Sequence, residues 1–211
     1  DGCPRNLKNA RETTDQLSCP KNTGCTVRNT AAAYFRSMEA AMNKTTRNIV
    51  TAAVIGALYA VLTMVLAPIS YGPVQCRISE VLCILPFFMP STTWGLFFGC
   101  AIANIASAAG LPDIIFGSLA TLIACLCISW CGKHNKKALA CLMPVIWNGL
   151  IVGAMLTVVV AGLNPIKNFG AFAVFAGEVA LGEAAVMFIA GLPLLSWLPK
   201  QKFFADYVSR S

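Results

Sequence analysis

The sequence predicts an all-α integral membrane protein: a six-transmembrane-helix bundle with short loops and both termini cytoplasmic. Three observations predict it. Hydrophobic residues make up 57% of the chain and charged residues 12%, against about 25% charged in an ordinary soluble domain. The apolar residues gather into six runs punctuated by Pro, Gly and polar residues. Lys and Arg then collect at alternate ends of those runs, which is the pattern of a chain that crosses a bilayer an even number of times. The net charge of +7 accordingly records topology rather than a nucleic-acid partner.

Residues 1–41 have a different composition, with six Lys or Arg, four Asp or Glu and no sustained apolar period. They read as an unstructured leader that lacks the apolar core of a signal peptide. Met42, followed by Asn43-Lys44-Thr45-Thr46-Arg47, reads as a natural start, with the leader as upstream translated sequence. Residues 42–200 are then the membrane domain and 201–211 a cytoplasmic tail.

The first apolar run, 49–67, is stopped at Pro68, whose ring and missing N–H disfavour continuation. The second, 77–89, is helical from about Arg77, but it is short for a bilayer and interrupted by Pro86. The others are 94–109, 114–131, 139–162 and 172–198. Six crossings place Lys44, Arg47, Lys133, Lys136, Lys137, Lys200, Lys202 and Arg210 on the side of the termini, against Arg77 and Lys167 on the other. The positive-inside bias makes the first side cytoplasmic.

Small residues recur at every fourth position in three runs: Ala52, Gly56 and Ala60; Gly95, Gly99, Ala103 and Ser107; Gly149, Gly153, Thr157 and Ala161. Such rows let lipid-solvated helices approach closely. A second row, Ala53 and Ala57, runs beside the first and makes that helix wide enough in small residues to serve an external helix as well.

Polar groups within the bundle are few: Gln75, Arg77, Glu80, Asn104, Asp113, Trp147, Asn148, Glu178 and Glu183. Ionisable groups at membrane depth cost several kcal/mol unless paired or facing water, so they mark a binding or transport path. Arg77 and Glu80 are three apart and share a face at the start of a helix. The bland alternative is that Arg77 meets headgroups and pairs with Glu80. Asp113, after Pro112, has the alternative reading of a helix cap, and Trp147 that of an interfacial residue. Glu178 and Glu183 are five apart, so at most one of them faces a ligand.

The single histidine, His134, sits in a basic loop. No phosphate-cradling loop, zinc-protease motif or nucleophile elbow occurs in the 211 residues. Of the ten cysteines, three lie in the leader and seven in or beside apolar runs; Cys125, Cys127 and Cys131 lack the paired spacing of a zinc site, and buried cysteines read as small apolar residues. No catalytic set, cofactor or metal is expected, and energy for any transport must come from elsewhere.

Several ordered segments carry a resemblance: Val74-Gln75-Cys76-Arg77-Ile78-Ser79-Glu80, Leu85-Pro86-Phe87-Phe88, Gly99-Cys100-Ala101-Ile102-Ala103-Asn104, and Asp113-Ile114-Ile115-Phe116-Gly117-Ser118-Leu119-Ala120-Thr121-Leu122. With residues 144–153, Gly182-Glu183 and Gly191-Leu192-Pro193-Leu194, they resemble the QueT family of queuosine-precursor transporters over about residues 43–200. The resemblance implies the substrate-binding S component of an energy-coupling-factor (ECF) importer in a bacterial plasma membrane. Such a component captures a 7-deazaguanine (preQ1, preQ0 or queuine) outside and works with a transmembrane T component and two cytoplasmic ATPases. It further implies that Ala53 and Ala57, with Gly56 and Ala60 beside them, dock the T component, and that residues 68–75 gate the site. The rival reading is a stand-alone secondary transporter driven by an ion gradient.

Overall fold

The computed structural model describes residues 44–70, 76–107 and 109–210. The leader 1–41, Gln75 and most of the expected gate lie outside the described residues. Every regular element among those described is helical. Helix α1 (Lys44–Val65) is followed after one residue by a single turn, α2 (Ala67–Ser70), then by a 3₁₀ helix (Ile78–Phe87). Helices α3 (Thr92–Asn104), α4 (Leu111–Lys133), α5 (Lys137–Val159) and α6 (Phe169–Val186) come next. A π-helical turn (Met187–Gly191) carries α6 into α7 (Leu192–Trp197), a 3₁₀ turn (Leu198–Lys200) and α8 (Lys202–Arg210).

Among the described residues, four helices are long and apolar enough to cross a membrane: Lys44–Val65, Leu111–Lys133, Lys137–Val159 and Phe169–Lys200. The second and third predicted spans are not among them. The 3₁₀ helix has 10 residues and α3 has 13, so at about 2.0 and 1.5 Å of rise per residue each is only about 20 Å long. Pro86 lies inside the 3₁₀ helix, and a missing N–H costs little where the ladder is already irregular. Helix α3 stops at Asn104 instead of running to residue 109, because the chain turns there toward Gly110, which takes a left-handed φ of 66° before α4 begins. Pro68 does not end the first segment either. It falls in the first turn of α2, where a proline N–H would be unsatisfied in any case.

The small-residue rows are packing surfaces. A Cβ added at Gly95 would lie 1.9 Å from the Ala52 carbonyl oxygen, and one at Gly56 or Gly99 would meet the facing backbone oxygen at 2.3 Å. Helices α1 and α3 therefore touch backbone to backbone. Gly153 does the same on α5, where an added Cβ would be 2.6 Å from Ala176 Cα of α6. Ala53 and Ala57 point away from this seam and are exposed. An open groove of about 690 Å³ runs along that side of the seam, lined by Ala53 and Ala57 of α1 and by Trp94, Phe98 and Ile102 of α3.

The tail is a helix docked on the bundle. Phe204 meets Phe88 edge to face at 5.3 Å, Arg47 lies over the Tyr207 ring at 5.8 Å, and the Tyr207 hydroxyl hydrogen-bonds Thr51. Arg47 is accordingly buried rather than a loose topological charge.

Candidate functional site: a buried polar cluster

Four elements converge on one polar cluster inside the apolar core. The 3₁₀ helix contributes Arg77, its N-cap residue, with Ser79, Glu80 and Cys83. Its tight turn keeps Arg77 and Glu80 close in sequence but sends them to different partners. Helix α3 supplies Cys100 and Asn104, α4 supplies Asp113, Gly117 and Thr121 from its first turns, and α1 supplies Tyr59 and Thr63.

Arg77 is 3% exposed and Asp113 1%. The Arg77 Nη2 atom donates to Asp113 Oδ2 at 3.3 Å and Oδ1 at 3.4 Å. This buried pair corrects the headgroup reading of Arg77 and the capping reading of Asp113, since Gly110 is the N-cap of α4. Asp113 stands inside the first turn of α4, where its charge is favoured by the helix N-terminus as well as by the guanidinium. Asn104 braces it, donating from Nδ2 to the Asp113 carbonyl at 2.9 Å. Gly117 leaves the necessary room: a Cβ there would be 2.6 Å from Asn104 Nδ2 and 2.9 Å from Asp113 Oδ1.

Cys100 is the hub beneath this pair. Its sulfur accepts from Thr121 Oγ1 at 3.3 Å, Asn104 Nδ2 at 3.5 Å and Arg77 Nη1 at 3.9 Å. Tyr59, which is fully buried, donates its hydroxyl to Glu80 Oε1 at 2.5 Å, while Cys83 Sγ donates to Glu80 Oε2 at 2.9 Å. Thr63 and Ser79 share a hydrogen bond of 2.6 Å alongside.

A third carboxylate enters from α6. Glu183 is 2% exposed and accepts from Asn148 Nδ2 of α5 at 2.8 Å through Oε1. Glu80 and Arg77 are within electrostatic range of it. Two buried acceptors in the cluster, Glu183 Oε2 and Asn104 Oδ1, have no hydrogen-bond partner among the described residues. Buried acceptors of this kind are rare and call for a partner that the described residues do not supply. Of the residues singled out from sequence, Arg77, Glu80, Asn104, Asp113, Asn148 and Glu183 are all buried. Trp147 and Glu178 are only half-buried, and their side chains make no hydrogen bond among the described residues.

Sequence reasoning missed Tyr59, Cys100 and Thr121. Each reads as an apolar or small helix residue, and its polar contact lies on another element. The signal available was weak: Tyr59 is the one aromatic residue in the run 49–67, and a buried tyrosine hydroxyl needs a partner. Among the described residues, no three His, Cys, Asp or Glu side chains are grouped to hold a metal ion.

A relative named "Queuosine precursor transporter QueT", from Lactococcus lactis subsp. cremoris (strain MG1363), is 44% identical over 80 residues, 37% of this chain and 47% of the relative. The match thus spans about half the length of that relative. No solved structure is similar. The QueT transporter family matches residues 49–200, nearly the whole helical body that builds the buried cluster, and the chain belongs to that family of transport proteins.

Proposed function

We propose that this chain is the substrate-binding S component of an ECF-type importer for a queuosine precursor, a 7-deazaguanine. The observation that carries the reading is the pair of open, fully buried acceptors, Glu183 Oε2 and Asn104 Oδ1, within a membrane bundle of a transporter family. A deazaguanine base presents adjacent N–H donors on its pyrimidine edge, which a carboxylate and an amide oxygen accept, and Asn148 can complete the amide edge. Trp147 offers a stacking face beside Asn148, and Gln75 a further polar group in the gate. The relative's name, queuosine precursor transporter, supports the same ligand class.

In this reading the 3₁₀ helix and α3 complete six crossings, the shorter ones sheltered by their longer neighbours, and both termini are cytoplasmic. Residues 42–200 form the binding domain, residues 1–41 lie outside it, and residues 201–211 lie along the cytoplasmic face of a bacterial plasma membrane. ATP is hydrolysed by two separate subunits, which a T component couples to this chain. The exposed Ala53–Ala57 side of α1 and its apolar groove are the docking surface for that component. Gly56 and Ala60 contribute by holding α1 against α3.

Ala53→Trp or Ala57→Trp tests this arrangement. Each bulky ring fills the groove without reaching the buried cluster, so uptake is expected to be lost in cells carrying the ATPase and T-component partners while ligand binding to the purified chain persists. Uptake that survives deletion of the ATPases would instead establish the stand-alone secondary transporter.

A further inference from the structure

The cluster contains two acidic side chains beyond the Arg77–Asp113 pair, and their hydrogen bonding is unequal. Both Glu80 oxygens are taken by protein donors, Tyr59 at 2.5 Å and Cys83 at 2.9 Å. Glu183 has one oxygen taken by Asn148 and one open. Tyr59 is fully buried, stands on α1, and reaches Glu80 across an interval of 21 residues. Its hydroxyl is the stronger of the two donors on Glu80, since a thiol donates weakly.

We propose that Tyr59 is a specificity-determining positioning residue: by holding Glu80 it withholds that carboxylate from the ligand, leaving Glu183 as the one buried acidic side chain of the cluster with an open oxygen among the described residues. The inference rests on the site reading above. Its consequence concerns the charge of the ligand's side group. A precursor bearing an aminomethyl group is a cation near neutral pH and one bearing a nitrile is neutral. A bound cation stabilises the ionised form of a buried carboxyl that faces it, so the single open oxygen favours the amine through a charge-assisted hydrogen bond. Releasing Glu80, which lies within electrostatic range of Glu183, adds a second such oxygen and sharpens the preference. Specificity is a difference of two affinities, so the ratio of the two is the quantity Tyr59 sets.

The same logic separates the two glutamates. In Glu183→Gln the amide oxygen stays with Asn148 and an N–H donor stands where the open oxygen was, so that acceptor is lost. Removing the charge of Glu80 changes a group that the ligand does not touch, since glutamine can still accept from Tyr59.

The test is a pair of titrations, 7-aminomethyl-7-deazaguanine and 7-cyano-7-deazaguanine, on the purified full chain at one pH, with thermal unfolding of each variant as a check on folding. Wild type is expected to bind the amine more tightly. Tyr59→Phe, which removes one oxygen at nearly constant volume, is expected to raise the amine-to-nitrile ratio by about tenfold, the scale of a hydrogen bond to a charged group. Glu183→Gln collapses the ratio, and Glu80→Gln, whatever it does to overall affinity, leaves it within about twofold of wild type. In the double variant Tyr59→Phe with Glu80→Gln, the ratio falls back toward wild type, an outcome that a packing role for Tyr59 does not produce. An unchanged ratio in a folded Tyr59→Phe chain would overturn the inference while leaving the site reading standing. A ratio that collapses in Glu80→Gln would overturn it too, even if Tyr59→Phe fails to fold. A wild-type chain that binds neither compound would overturn the site reading and the inference with it.

Discussion

Arg77→Ala is expected to destabilise the folded chain by about 3–5 kcal/mol and to abolish ligand binding, because it strands the Asp113 carboxylate without its counter-ion in the bundle interior. Asp113 is 1% exposed, so no solvent compensates it. The loss also frees Asn104, which is braced on the Asp113 backbone and shares Cys100 with Arg77. Asp113→Asn is expected to fall short of that loss, since the amide still accepts a hydrogen bond from the guanidinium while the charge attraction disappears. Thermal unfolding in detergent separates the cases. Replacing both partners with apolar residues of similar size should restore stability toward wild type without restoring binding, because desolvating a buried pair offsets most of its attraction. A wild-type unfolding midpoint in Arg77→Ala would mean that the arginine faces headgroups or water and that the pair is not buried.

The second large effect lies at the seam between α1 and α3. Gly95→Val is expected to cost about 3 kcal/mol or more, the upper end of overpacking penalties, because the obstruction is backbone rather than a side chain that can swing away. An added Cβ there would be 1.9 Å from the Ala52 carbonyl oxygen. The two helices must separate, which also moves Cys100 and Tyr59, whose side chains join the polar cluster from either side of the seam. Gly170→Val on α6 is the matched control, since a Cβ at Gly170 meets nothing within 4 Å. Equal unfolding midpoints for the two variants would refute the backbone contact.

Much of this arrangement was legible in the sequence, and the reasons differ by element. The four long helices follow from runs of apolar residues, a signal that survives any tertiary detail. Their ends were less legible: α4 starts at Leu111 rather than Ile114, because Pro112 and Asp113 suit a first turn as well as they suit a loop. The 3₁₀ helix was read as an ordinary helix since its apolar content is the same. What differs is the hydrogen-bond ladder, to which composition is blind. The sequence predicts residues 201–211 only as a cytoplasmic tail, yet Tyr207 and Phe204 find their partners Thr51 and Phe88 more than a hundred residues upstream.

At the site, rarity carried the information. Arg77, Glu80, Asn104, Asp113, Asn148 and Glu183 stood out because polar groups in apolar runs need a reason to be there. The pairing among them was not legible. Arg77 and Glu80 are neighbours by number, but Arg77 joins Asp113 across 36 residues and Glu80 joins Tyr59 across 21. Such partners are set by how α1, α3 and α4 pack, and the glycines that permit the packing, Gly95 and Gly117 above all, act through the side chain they lack.

The most direct test of the central claim is a calorimetric titration of the purified wild-type chain, alone in detergent, with a 7-deazaguanine ligand. Saturable binding of one ligand per chain is predicted, without nucleotide, ion gradient or partner subunits, and with the heat lost in Glu183→Gln. Absence of binding by the isolated wild-type chain, or binding that Glu183→Gln leaves intact, would contradict a capture site built around the open acceptors of Glu183 and Asn104.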